Sequence, residues 1–150
     1  MTTPLRLDVR RSGAGSEVEL SLEVPSALEY VGPAVDLIAR ACPSGTLSPR
    51  RVAFNLRTAL AEALTNAIAY GNHYDSRRMV RVRMEITPEA VRIHVADDGA
   101  GFDPSVVPDP TLPENIEREN GRGLFVLRHL VDRVSINEQG NAVCLTLLAG

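Results

Sequence analysis

Six segments of this chain alternate apolar with polar residues, and they fall in three adjacent pairs. Strict alternation gives a strand one apolar face that must be covered, so the fold is committed to a sheet with a layer packed on one side. In the first pair, Leu5, Leu7 and Val9 precede Val18, Leu20, Leu22 and Val24. Between them, Arg11-Ser12-Gly13-Ala14-Gly15-Ser16 reads as a hairpin turn rather than a phosphate loop, because strands flank it and no helix directly follows. In the second, Val80, Val82, Met84 and Ile86 alternate with Arg81, Arg83 and Glu85, and Val91, Ile93 and Val95 with Arg92 and His94, across a Thr87-Pro88-Glu89 turn. The third joins Val134 to Asn137 with Ala142 to Leu148 through Glu138-Gln139-Gly140-Asn141. The polar face of the middle hairpin, with its arginines and His94, is either solvated or a partner or dimer surface.

The covering layer is equally visible. Leu28, Val31, Val35, Ile38 and Cys42 form one helical stripe after Pro25-Ser26, with Ser26 as the expected N-cap and Gly32-Pro33 as a kink or break. Pro43-Ser44-Gly45 ends that helix, and Ser48-Pro49 starts a longer one running to about Gly71. A last helix is expected from near Gly123, with Leu124, Leu127 and Val131 inward. From Asp97 to Asn120 periodicity vanishes in a run rich in proline and acidic residues, and so long a loop in a compact domain is usually functional. The order predicts an α/β (α+β) two-layer sandwich: a mainly antiparallel sheet with helices on one face, as a single domain over 1–150.

Composition removes several function classes. All 16 basic residues are arginine, which excludes the P-loop, the protein-kinase strand lysine and Schiff-base chemistry. Any phosphate must be met by backbone N–H groups, arginine or a metal ion. A net charge of -3 offers no footprint for nucleic acid or anionic lipid. Cys42 and Cys144 read as small buried hydrophobes, and without CxxC or HExxH spacing there is no expected zinc site. With no apolar leader at Met1 to Arg11 and no spanning apolar run, a cytoplasmic location is expected.

Three short motifs carry chemistry. Glu62 and Asn66 lie one turn apart on the second long helix, among small neighbours such as Thr58, Thr65 and Ala69. A carboxylate and a carboxamide so placed can orient a nucleophile and hold a hydrated Mg²⁺. Directly after a strand comes Asp97-Asp98-Gly99-Ala100-Gly101, in which Asp97 can accept a hydrogen bond from an exocyclic amine and the glycines let the backbone approach a flat ligand. Asn120-Gly121-Arg122-Gly123-Leu124 then opens the last helix, presenting unpaired N–H groups and one arginine to an anion. Each motif alone is common; it is their order around a long loop that is specific.

That order resembles the Bergerat-fold ATPases of the GHKL superfamily, and more closely the anti-sigma-factor serine/threonine kinases of bacterial partner-switching systems. The most specific stretch is Ala59-Leu60-Ala61-Glu62-Ala63-Leu64-Thr65-Asn66-Ala67-Ile68-Ala69-Tyr70-Gly71, similar to that family's N-box helix. The resemblance implies that Glu62 is the general base, Asn66 the Mg²⁺ ligand and Asp97 the adenine-reading carboxylate. It implies further that Gly99 and Gly101 belong to the first glycine box, while Gly121, Arg122, Gly123 and Leu124 form the phosphate-cradling second box, with an ATP lid over about 103–120. Close relatives often carry an arginine two residues before the first glycine of that second box. Here that position is Glu119, with Arg118 one step earlier, so either Arg118 or Arg122 is left to reach the γ-phosphate. His73, His94 and His129 sit in no phosphoacceptor context.

The activity so implied is transfer of phosphate from ATP, with Mg²⁺, to a serine of an anti-anti-sigma (STAS-type) protein, coupled to sequestration of a sigma factor. A homodimer is a further implied possibility. The alternative is a non-catalytic, nucleotide-gated module that binds a regulator; a detached histidine-kinase catalytic domain fits the Glu62–Asn66 neighbourhood less well.

Overall fold

The alternating segments pair as their pattern requires. A computed structural model of the chain describes residues 5–12, 17–42, 45–99 and 119–150. Within these, β1 (Arg6–Ser12) pairs with β2 (Glu17–Pro25), β3 (Met79–Ile86) with β4 (Ala90–Ala96), and β5 (Arg133–Ile136) with β6 (Ala142–Leu148). Two long-range pairings, β2 with β3 and β4 with β6, join the hairpins into one antiparallel six-stranded sheet ordered β1-β2-β3-β4-β6-β5.

Register explains why one face is apolar. Leu22 lies opposite Val82, Val82 opposite Val95, and Val95 opposite Val143. Side chains alternate across a strand, so this alignment places the apolar residues of four strands on the same side. The other side carries Ser21, Arg83, His94 and Cys144 in one row. There Glu85 pairs with Arg83 at 3.3 Å and with His94 at 3.6 Å.

Three α-helices supply the second layer: α1 (Val31–Ala41), α2 (Arg57–Asn66) and α3 (Glu119–Leu130). With the turns that flank them, they bury Val35 and Ile38, then Leu56, Leu60, Leu64 and Ile68, then Leu124, Leu127 and Val131. Each fully buried Leu or Ile contributes about 1.5–3 kcal/mol relative to exposure, so these stripes hold the helices on the sheet. Widened π-turns flank α2, over Arg51–Leu56 and Ala67–Gly71. At its start the Ser48 Oγ accepts the Arg51 amide at 3.2 Å, the cap expected from Ser48-Pro49. Arg51 also pairs with Asp132 at 2.7 Å, and Asp132 accepts the Leu148 amide at 2.8 Å, fastening this helix start to the end of β6.

Several local expectations are corrected. Ser26 is not an N-cap: a 3-10 turn over Leu28–Tyr30 follows Ala27, and its start takes no side-chain cap. That tighter turn also carries Leu28 off the buried stripe, leaving it 49% exposed. Gly32 and Pro33 fall in the first turn of α1, where the missing proline N–H has no helical partner to lose. Cys144 is half-buried on the polar face of the sheet, its Sγ 3.8 Å from His94 Nε2, and not in the core. The last helix is already formed at Glu119, four residues before Gly123, so Gly121 and Gly123 lie inside it and not ahead of it. Most of the expected lid, up to residue 118, lies outside the described residues, as do Gly101 and Arg118.

Candidate functional site

Where the end of β4 and the start of β6 meet the C-terminal end of α2 and the middle of α3, the layers leave a cleft of about 230 Å³. Its walls include Asn66, Tyr70 and Gly71 from the α2 side, Val95 and Asp97 at the end of β4, and Leu124 and Leu127 from α3. Ile136, Gly140 and Asn141 close the fourth side from the β5–β6 turn. The small residues Ala63 and Ala67 on the inner face of α2 make the room.

Asp97 is the polar anchor. It is a buried carboxylate, 9% exposed, at the point where β4 ends. Its Oδ1 accepts the Gly99 amide at 2.8 Å, and Oδ2 takes no hydrogen bond from any described residue. Its main-chain N–H donates to the Asn141 carbonyl at 2.9 Å. Burial pushes the Asp97 carboxyl above its ordinary value; the Gly99 amide pulls it part of the way back, while the neighbouring Asp98 charge raises it. A buried, underused carboxylate facing a cleft is suited to a ligand that brings its own N–H donor.

The glycines around it are required by close approach. A Cβ on Gly71 would lie 2.6 Å from Asp97 Oδ1 and closer still to its Cγ. A Cβ on Gly99 would lie 2.8 Å from the Gly71 carbonyl carbon and closer to its oxygen. Gly99 therefore serves first to let the Asp97 loop nest on the end of the α2 helix, a role that spacing alone does not show.

Asn66 and Asp97 thus face one cleft, and Leu124 joins them from α3. Gly121, Arg122 and Gly123 lie within α3, which is already helical at Glu119, so the helix start expected near Gly123 is not found there. Glu62 stands one turn before Asn66, half-buried and outside the cleft lining. Among the described residues no group of three or more His, Cys, Asp or Glu is placed to hold a metal ion. Asn66 nevertheless fits a Mg²⁺ bound chiefly through phosphate oxygens and water, which needs only one or two protein oxygens.

The sequence reading missed Asn72, which is fully buried. Its Oδ1 accepts the Asp98 amide at 2.8 Å, while Nδ2 donates to Ser26 Oγ at 3.0 Å and to the Met79 carbonyl at 3.2 Å. It also missed Asn141 and Gly140, which looked like ordinary turn residues. The one available signal for Asn72 was a carboxamide directly after the glycine that ends an amphipathic helix.

Comparison with known proteins agrees with this fold. A model of the histidine kinase-like ATPase domain matches residues 24–147. The chain belongs to that family. It is 30% identical over 130 residues to a serine-protein kinase RsbW of Oceanobacillus iheyensis, covering 80% of this chain and 79% of the relative. It is 27% identical over 139 residues to a serine-protein kinase RsbW of Staphylococcus aureus, covering 85% and 84% respectively. In this family setting the cleft between Asn66 and Asp97 is the candidate nucleotide site, and the open antiparallel sheet with its helical layer is the expected architecture. No helix among the described residues is long and apolar enough to cross a membrane.

Proposed function

We propose that this chain is an ATP-dependent serine/threonine kinase that phosphorylates an anti-anti-sigma protein and holds a sigma factor. The observation that carries the reading is the convergence of Asn66, the buried Asp97 and Leu124 of α3 on one cleft. The names of the relatives, serine-protein kinase, support the reaction class. In this reading Asp97 accepts the exocyclic amine of adenine, and Tyr70 and Leu124 flank the base. The Gly121–Gly123 amides receive phosphate oxygens, with Arg122 or Arg118 adding positive charge.

Mg²⁺ would be held by Asn66 together with the phosphates and would offset their negative charge. Glu62 takes the proton from the attacking serine hydroxyl, the step at which a positioned carboxylate accelerates transfer. The chain works in the cytoplasm, and a homodimer would use the β1–β2 hairpin or the arginine-bearing sheet face.

The test is transfer of labelled phosphate from ATP to a serine-bearing protein encoded beside this chain. Phosphoserine on that partner supports the reading, and full activity in Glu62→Ala removes the role given to Glu62. A second reading, ATP binding without transfer, is favoured by the position of Glu62 outside the cleft lining and by Glu119 ahead of Gly121. Calorimetric ATP affinity with no phosphorylated partner would select it.

A further inference from the structure

We infer that Asn72 is a positioning residue for base recognition: its carboxamide fixes the Asp97–Gly99 loop against the end of the α2 helix. The inference rests on the reading of Asp97 as the contact to the adenine amine. Asn72 has no exposed surface, and its side chain uses both kinds of polar group. Oδ1 takes the Asp98 N–H, whereas Nδ2 reaches Ser26 Oγ and the Met79 carbonyl. A main-chain N–H only donates and a carbonyl only accepts, so this arrangement admits a single orientation of the amide. Ser26 completes the network by donating to the Arg78 carbonyl at 2.6 Å.

The network joins three places distant in sequence: the end of β2, the entry to β3 and the residue after Asp97. On its far side the same loop meets the β5–β6 turn, where Asn141 receives the Asp97 amide and donates to the Gly99 carbonyl at 3.4 Å. Among the described residues, only Asn72 links the loop by a side-chain hydrogen bond to the segment that follows Asn66. The backbone around it is held in an uncommon path: the Asn72 N–H bonds the Ala67 carbonyl at 2.8 Å, and His73 and Tyr74 follow with φ of 52° and 57°. Left-handed geometry at successive non-glycine residues persists only where surrounding contacts enforce it. The buried carboxamide supplies such contacts.

A hydrogen-bonding acceptor discriminates between ligands only if it is held to a fraction of an ångström. Loss of the Asn72 carboxamide frees Asp98 and with it the direction of the Asp97 carboxylate. The consequence falls on a base with an exocyclic amine at that position and not on one with a carbonyl there.

The experiment measures Kd for Mg-ATP and Mg-GTP by calorimetry, with thermal melts, on the full chain and its variants. Asn72→Ala is expected to lower the ATP-over-GTP preference tenfold or more. Ser26→Ala leaves the Asn72–Asp98 bond in place and is expected to lower Tm while keeping the preference. A preference ratio is insensitive to the fraction of folded protein, so a purely structural role leaves it unchanged. If Asn72→Ala does not fold, Asn72→Ser, too short to reach Asp98, is expected to lose the preference, and Asn72→Asp, which keeps the acceptor, to retain it. An Asn72→Ala or Asn72→Ser protein with wild-type preference overturns the inference. An unselective wild type, or an Asp97→Asn variant with undiminished preference, overturns the base-reading role of Asp97 and this inference with it.

Discussion

The two ends of the cleft are built differently. At the Asp97 end, the position of one carboxylate is set by Gly71, Gly99, Asn72 and Asn141, drawn from separate parts of the chain and fastened by buried or half-buried hydrogen bonds. At the Glu62–Asn66 end, among the described residues, neither side chain makes a hydrogen bond or ion pair, and the helix alone sets their spacing. One end is organised before any ligand arrives, and the other is left for a ligand to organise. In the proposed function, this pairs a preset base pocket with a phosphate end that the ligand orders.

This contrast can be broken or sharpened by substitution. Glu62→Gln should reduce phosphoryl transfer by about 10²–10⁴-fold, the usual contribution of a general base. Because its side chain is half-buried and lies outside the cleft lining, Tm and ATP affinity should stay near wild type, checked by labelled transfer beside calorimetry. At the other end, Gly99→Ala should destabilise the fold by about 3 kcal/mol, the upper part of the overpacking range. The added methyl would meet the Gly71 carbonyl, which is backbone and gives little. Urea titration measures this, and an unchanged midpoint would show that the loop does not nest as described.

Asp97→Asn separates binding from stability. A hydrogen bond to a charged group contributes about 1.5–3 kcal/mol, so ATP affinity should fall tenfold or more. The Asp97 carboxyl is raised above its unfolded value, which is about 3.9. The folded state therefore holds this proton more tightly, and stability is lost as pH rises from the unfolded value through the folded one. Replacing the carboxylate should raise the Tm of the nucleotide-free protein at pH 7 and weaken this dependence, as melts across the acidic range would show. The smallest effect is expected at Arg81, which pairs with the Asp98 carboxylate at 2.8 Å in an exposed position. Arg81→Ala should cost less than about 1 kcal/mol and leave nucleotide affinity unchanged. Asp98 is thus held twice, through its amide in the interior and its side chain at the surface, and only the interior hold should matter.

Much of this was legible in the sequence because it is local. Alternation placed the six strands, the first of which runs on through Arg11 and Ser12 of the expected turn, and the stripe from Leu56 to Ile68 placed the central helix. The motifs singled out Asn66 and Asp97, and both line one cleft. The misses are long-range. Ser26 has the chemistry of a cap, but its partners are Arg78 and Asn72, 52 and 46 residues away. Asn72 and Asn141 reach the Asp97 loop across 26 and 42 residues, distances over which no periodicity or turn rule operates. Cys144 alternates like a core residue, yet its parity within β6 faces it to His94 instead.

The strand order also bears on how the molecule is assembled. The three hairpins close over short turns, whereas β2 must find β3 across both α1 and α2, and β4 must find β6 across 42 residues or more. Closing such loops costs entropy before any contact repays it, so these pairings are expected to be the slow steps. The Asp97 loop lies at the seam of the second one, where the Asp97 amide meets the Asn141 carbonyl. A chain with every hairpin formed but that seam open lacks the Asp97 end of the cleft, the base pocket of the proposed function. Nucleotide binding would then report completion of folding, and newly made chains would stay silent until their last strands are in register.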